Sequence, residues 1–272
     1  MRSFVSKILV LLLAVWAFSY PFLYAPEEVE IAEEVVISVP DEEPEPEEKP
    51  LHNVRLPDFS AISDVTEKKK AFFDFIKPHV IAENKRILED RATLEIAVMM
   101  LQYDEPLTGT QVRKVKKILT AYKLGEEEVS VELLQHALKR VDVIPRELAL
   151  MQAANESAWG TSRFARIGLN FFGQWCYKKG CGMVPKRRDD SADHEVAAFK
   201  SVQASVSSYF RNINTNKAYR GLRDLRAEMR LNREPLDPGK LASGLHSYSE
   251  RGTEYIEELN EMIRHNQVYF NE

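Results

Sequence analysis

Cysteine is scarce in this 272-residue chain: Cys176 and Cys181 are the only two. No second pair stands near them, and the nearest histidine, His194, is alone, so no zinc-binding spacing is present. There is no H-E-x-x-H stretch and no phosphate loop, and no serine or cysteine has a convincing catalytic partner. An arginine-rich arm of the kind that grips nucleic acid is also missing, so no nucleic-acid partner is indicated. These absences remove the usual metal, nucleotide and covalent-nucleophile chemistries. They leave a reaction run by ordinary side chains, with no cofactor or metal.

The N-terminus points outward from the cytoplasm. Arg2 and Lys7 precede an 11-residue apolar run, Ile8–Phe18, the layout of a signal sequence. Extended to Ala25, the run has 18 residues, the lower end of a membrane span. Residues 1–25 therefore read as a signal peptide or an inner-membrane anchor through residues 8–25. Either one exports the rest of the chain, giving a periplasmic protein, secreted or tethered. Export favours a disulfide between Cys176 and Cys181 over free thiols or a redox pair, worth roughly 2 kcal/mol for so short a loop.

The net charge of −5 hides an uneven distribution. Residues 26–50 carry 11 acidic groups and one basic, whereas residues 141–240 carry 17 basic and 11 acidic. With six prolines between 26 and 57, this stretch cannot bury enough apolar surface to order itself and reads as an acidic, Pro-rich disordered linker. Residues 58–140 read as a helical N-terminal region. Asp64 with Glu67 makes a capping box, and Phe72, Phe75, Ile76 and Val80 recur at helical spacing. The pattern runs on to Met99 and Met100, expected in the core. Residues 141–272 form a third unit, helical with one loop-rich, partly β insertion over 169–199.

Chemistry concentrates in that third unit. Glu156 is expected to close an amphipathic helix inside Ala153-Ala-Asn-Glu-Ser-Ala-Trp-Gly160. A carboxylic acid that donates a proton at neutral pH needs a raised pKa. A helix C-terminus, a shell of alanines and a shielding Trp159 could supply it. Asn170-Phe-Phe-Gly-Gln-Trp175 places aromatics beside Gly173. Trp175 is the best candidate for stacking on a sugar, while Phe171 and Phe172 have packing as their ordinary fate. His194-Glu-Val-Ala-Ala-Phe199 alternates like a strand, with Glu195 a candidate second carboxylate; Asp189, Asp190 and Asp193 are weaker rivals. Tyr248, on a loop after a short helix, can reach a cleft. From spacing alone, a solvated Glu156 and a packed Tyr248 remain the simpler readings.

Taken together, these stretches resemble the bacterial β-N-acetylglucosaminidases of glycoside hydrolase family 73. The likeness rests on Ile144–Ser162, Asn170–Cys176 and Tyr248-Ser-Glu-Arg-Gly252, in that order. Within the family the chain is most similar to the Bax group of exported glucosaminidase-domain proteins, through Lys69-Lys-Ala-Phe-Phe73 and Arg140-Val-Asp-Val-Ile-Pro145. The likeness covers roughly residues 65–270. It implies an α+β, mainly α, lysozyme-like domain with a small β-lobe across a cleft, and peptidoglycan glycan strands as partner and substrate, cut at the β-1,4 bond after N-acetylglucosamine. By this resemblance Glu156 is the general acid, Tyr248 the cleft tyrosine, and Glu195 a second acidic residue. Trp159, Asn170, Phe172, Gly173 and Trp175 are expected to bind substrate. Two departures stand out: Phe171 where members commonly have leucine, and Ala158 where the usual motif has glycine. The alternatives are a lytic transglycosylase on the same glycan, and a wall-binding scaffold without turnover.

Overall fold

A computed structural model describes residues 48–125, 128–185 and 194–270. The N-terminal signal or anchor, the linker up to residue 47, and Asp189, Asp190 and Asp193 lie outside them. No helix among the described residues is long and apolar enough to cross a membrane.

Residues 48–272 make one compact unit. Helix α1 (Val65–Gln102) has 38 residues, about 57 Å at 1.5 Å per residue. The Asp64 side chain caps it by accepting from the Glu67 N–H at 2.8 Å. Its buried face, Phe72, Phe73, Ile76, Val80, Ile87 and Leu94, lies against α3 (Val131–Arg140), α4 (Arg146–Glu156) and α6 (Val202–Thr215). Between α1 and α3 comes α2 (Gly109–Ala121), started by a capping box of Thr108 and Gln111. Met99 is not in the core: it is 53% exposed, and only Met100 is partly covered. Met99 lies off the stripe of Leu94, Ala97, Val98 and Leu101 that packs on the core.

Helix α4 is the centre of the molecule. Every residue from Leu148 to Ala154 is buried, so the helix is enclosed on all sides rather than amphipathic. Small Ala149, Ala153 and Ala154 allow α1 and α9 (Thr253–His265) to approach. Short α5 (Arg163–Gly168) follows, then the β-lobe. There β1 (Trp175–Cys176) and β2 (Gly182–Met183) flank β3 (Glu195–Ala197) in a three-stranded antiparallel sheet ordered β1-β3-β2. Trp175 pairs with Val196, Cys176 with Glu195, and Gly182 with Ala197. A disulfide joins Cys176 to Cys181. β3 is buried at all three positions, so the expected in–out alternation fails. Glu195 and Ala197 point to one face of the sheet and Val196 to the other, and both faces are covered. After α6, α7 (Arg220–Leu231) and α8 (Pro238–Ala242) lead to α9.

Two stretches that carried the Bax-group likeness prove to be fastenings between units. Phe72 and Phe73 pack edge-on against Trp159 at 5.7 and 5.4 Å, with the Lys69 ammonium 5.2 Å from the indole centroid. In Arg140–Pro145, Asp142 is buried and takes two hydrogen bonds from Arg230, at 3.0 and 2.9 Å, with Arg91 3.3 Å away. Fully buried Arg226 donates to the carbonyls of Lys139, Asp142 and Val143 and to the Asn214 amide oxygen. Each buried charge therefore has partners, as burial demands. The Asn84 amide exchanges two hydrogen bonds with the Ile144 backbone and ties α1 to the start of α4.

Candidate active site

A cleft of about 620 Å³ lies between the β-lobe and the helical body. Glu156, Phe172, Gly173, Gln174, Trp175, Tyr177, Val196 and Tyr248 form part of its wall. Helix α6 runs along it and presents Ser208, Arg211, Asn212 and Thr215, with Asn216 just beyond its end, residues three and four apart on one helical face.

Glu156 is the last residue of α4 and the only carboxylate among the described residues lining this cleft. Burial pushes its pKa up, the Tyr255 hydroxyl opposes this by hydrogen bonding, and the like charge of Glu258 adds to the rise. The helix end contributes in the same direction, since its carbonyls disfavour a nearby negative charge.

Behind Glu156 runs a buried polar chain. The Tyr209 hydroxyl donates to the Gln152 amide oxygen, and the Gln152 amide nitrogen donates to the Tyr255 oxygen at 3.1 Å. Tyr255 thus accepts from Gln152, which leaves its hydroxyl proton free to favour the Glu156 carboxylate and so to lower that group's pKa. Gln152 and Tyr209 are fully buried and Tyr255 nearly so, so no water competes for these bonds. Tyr209 and Tyr255 repeat at helical spacing with apolar neighbours such as Val206 and Leu259, so spacing alone marks them as core. The available signal for Gln152 was its position one turn before Glu156 on the same helix face.

Tyr248 donates to the Phe172 carbonyl at 2.8 Å and stacks on Tyr255 at 5.6 Å. Burial holds its phenol well above the ordinary tyrosine value, so it stays neutral. Phe172 in turn stacks on Tyr209 at 4.1 Å. Gly173, at φ +61°, brings bare backbone against the acid: a Cβ there would stand 3.0 Å from Glu156 Oε2. Trp175 is half exposed, edge-on to His194 at 4.4 Å.

Three expected site residues lie elsewhere. Trp159 does not face the cleft: Ala158 and Trp159 take left-handed backbone (φ +48° and +57°), which turns the indole onto Phe72 and Phe73 of α1. Asn170 is buried, and its amide is fully used by its own loop and the adjoining strand β3. It donates to the Gln174 and Ala197 carbonyls and accepts from the Phe172 and Gln174 N–H groups. It shapes the turn that carries Phe172 and Gly173. Glu195 is buried, with its two oxygens each accepting a backbone N–H at 2.8 Å, from Gly180 and Gly182. It braces the loop closed by the disulfide. Cys176, Cys181 and Glu195 are close enough to suggest a metal cluster, but the sulfurs are bonded to each other and offer no thiolate.

An acid with a raised pKa beside aromatic and amide groups is the arrangement for breaking a sugar linkage. The Glucosaminidase family model, described as mannosyl-glycoprotein endo-beta-N-acetylglucosaminidase, matches residues 131–268. The chain belongs to the glucosaminidase family. Protein bax of Escherichia coli (strain K12) is 32% identical over 213 residues, spanning 78% of this chain and 74% of that protein. No solved structure matches. Family membership makes this glucosaminidase a glycan hydrolase in general terms. The mainly helical body with its small three-stranded sheet is a lysozyme-like glucosaminidase fold preceded by a helical stretch.

Proposed function

We propose that this glucosaminidase cleaves the β-1,4 bond after N-acetylglucosamine in peptidoglycan, with Glu156 as general acid. The observation that carries this is the position of Glu156: a carboxyl with a raised pKa at a buried helix end, in a cleft with Trp175 and Tyr248. Glu156 gives its proton to the glycosidic oxygen as the bond to C1 breaks. The electron pair leaves with the departing sugar, and the positive charge left at C1 is met by water or by the substrate's own 2-acetamido oxygen. The second route is favoured, because the carboxylate of Glu195 is held by Gly180 and Gly182. Tyr248, neutral and fixed to the Phe172 carbonyl, shapes the wall beside the reacting sugar. The disulfide suits an oxidising compartment, consistent with a periplasmic site of action.

Mass spectrometry of peptidoglycan digested by wild type and by Glu156→Gln tests this. Expected products end in a reducing N-acetylglucosamine and are missing with the variant. Anhydro sugars would instead mean a lytic transglycosylase. Binding by both proteins without fragments would mean a scaffold.

A further inference from the structure

The cleft is lined by two cations that acid catalysis does not use, Lys123 and Arg211. Glu156 is the only acidic side chain among the described lining residues, and among the described residues no carboxylate forms an ion pair with either cation. A cation at the wall of a binding cleft with no carboxylate paired to it among the described residues is available for a ligand anion.

Lys123 is held there by built structure. It lies just after α2 with left-handed backbone at φ +58°. Its neighbours Tyr122 and Leu124 are both buried, while Lys123 itself is exposed. The Lys123 N–H bonds the Thr120 carbonyl at 3.1 Å, and Arg140 clasps the Tyr122 and Lys123 carbonyls at 2.9 and 3.0 Å. The loop is thereby fastened on both sides with its one cation facing the cleft. Arg211 comes from α6, flanked on the same wall by Asn212, Thr215 and Asn216. Lys123 lies outside residues 131–268, the part matched by the family model. The helical N-terminal region thus adds a charge to a cleft that the catalytic part otherwise builds.

We propose that Lys123 and Arg211 form a carboxylate subsite that recognises an anionic substituent on the glycan strand. This rests on the hydrolase reading above. A guanidinium and an ammonium lining one cleft, with the Asn212 and Asn216 amides beside the guanidinium, suit a carboxylate attached to a sugar that lies along α6. On a wall glycan such a group comes either from an acidic peptide stem or from the free lactyl acid of a stem-stripped muramyl sugar.

The test compares kcat/KM on three substrates: neutral N-acetylglucosamine oligomers, stem-stripped glycan strands and stem-bearing strands. Wild type, Lys123→Met, Arg211→Gln and the double variant are measured at low and high salt. Preference for the anionic strand over the neutral oligomer should fall about tenfold in the double variant, and most of that preference in wild type should vanish at high salt. Loss confined to stem-bearing strands assigns the carboxylate to the peptide; loss confined to stem-stripped strands assigns it to the lactyl group. An unchanged preference in the double variant overturns the subsite. If wild type cleaves none of the three, the hydrolase reading fails by itself. Binding of the same strands then decides the subsite, which requires the same tenfold drop in anionic preference.

Discussion

Gly173→Ala isolates the contact between the glycine loop and the acid. The geometry gives it two effects. The backbone there is left-handed, φ +61°, which costs a residue with a Cβ about 1–2 kcal/mol. The new methyl also falls 3.0 Å from Glu156 Oε2, inside ordinary contact distance, so the carboxyl must retreat by a few tenths of an ångström. A full 1 Å misplacement can cost about 100-fold in rate, so a shift of this size should lower kcat about tenfold, or about 1.4 kcal/mol. Gly180→Ala separates strain from contact. Its φ is +79°, yet a Cβ there meets nothing within 4 Å. The two variants should lose similar stability in urea denaturation, while only Gly173→Ala slows release of reducing sugar. Equal activity in both variants would refute the claim that this glycine exists to let the acid approach.

Tyr255→Phe removes the hydrogen bond that favours the Glu156 carboxylate. Such bonds to charged groups are worth about 1.5–3 kcal/mol, so the alkaline limb of the kcat/KM–pH profile should move upward by about one to two pH units; an unmoved limb means Tyr255 does not touch the acid's titration. Because burial raises the folded-state pKa of Glu156, wild type loses stability as pH climbs from the unfolded value through the folded one. Glu156→Gln should therefore melt higher than wild type at pH 7, with the gap closing near pH 4, in calorimetry at both pH values. Burial penalises the charge of Asp142, but Arg230, Arg226 and Arg91 outweigh it and hold the carboxyl low. Its contribution is present above the unfolded value and lost as pH falls through the folded one. Asp142→Ala leaves Arg226 buried without its carboxylate and should cost about 3–5 kcal/mol, read by denaturant titration. Ala158→Gly relieves left-handed backbone at φ +48° and should stabilise by about 0.5–1 kcal/mol, or leave the melting point unmoved if the turn carries no strain.

The helices were legible because each carries its own local signals. Asp64 caps the helix expected to start there, Ser201 caps α6 in the same way, and the apolar positions of α1, α6 and α9 repeat at helical spacing. Met99 stays out of the core although it is apolar, because it lies off the helical face of Leu94, Ala97, Val98 and Leu101 that packs inward. The core fates of Phe171 and Phe172 followed from their hydrophobicity, although Phe172 also faces the cleft.

By itself the sequence determined a mainly helical glucosaminidase, with Glu156 at the end of one helix and a glycine–aromatic loop beyond it. Those features live in short stretches, where spacing and residue type are enough. Which side chains meet was decided only in three dimensions. Two left-handed residues swing Trp159 out of the cleft, backbone amides 13 and 15 residues upstream hold Glu195, and Gln152, Tyr209 and Tyr255 converge behind the acid from three separate helices. Hydrogen bonds and burial act across any sequence distance, so the side chains they join bear no fixed spacing along the chain.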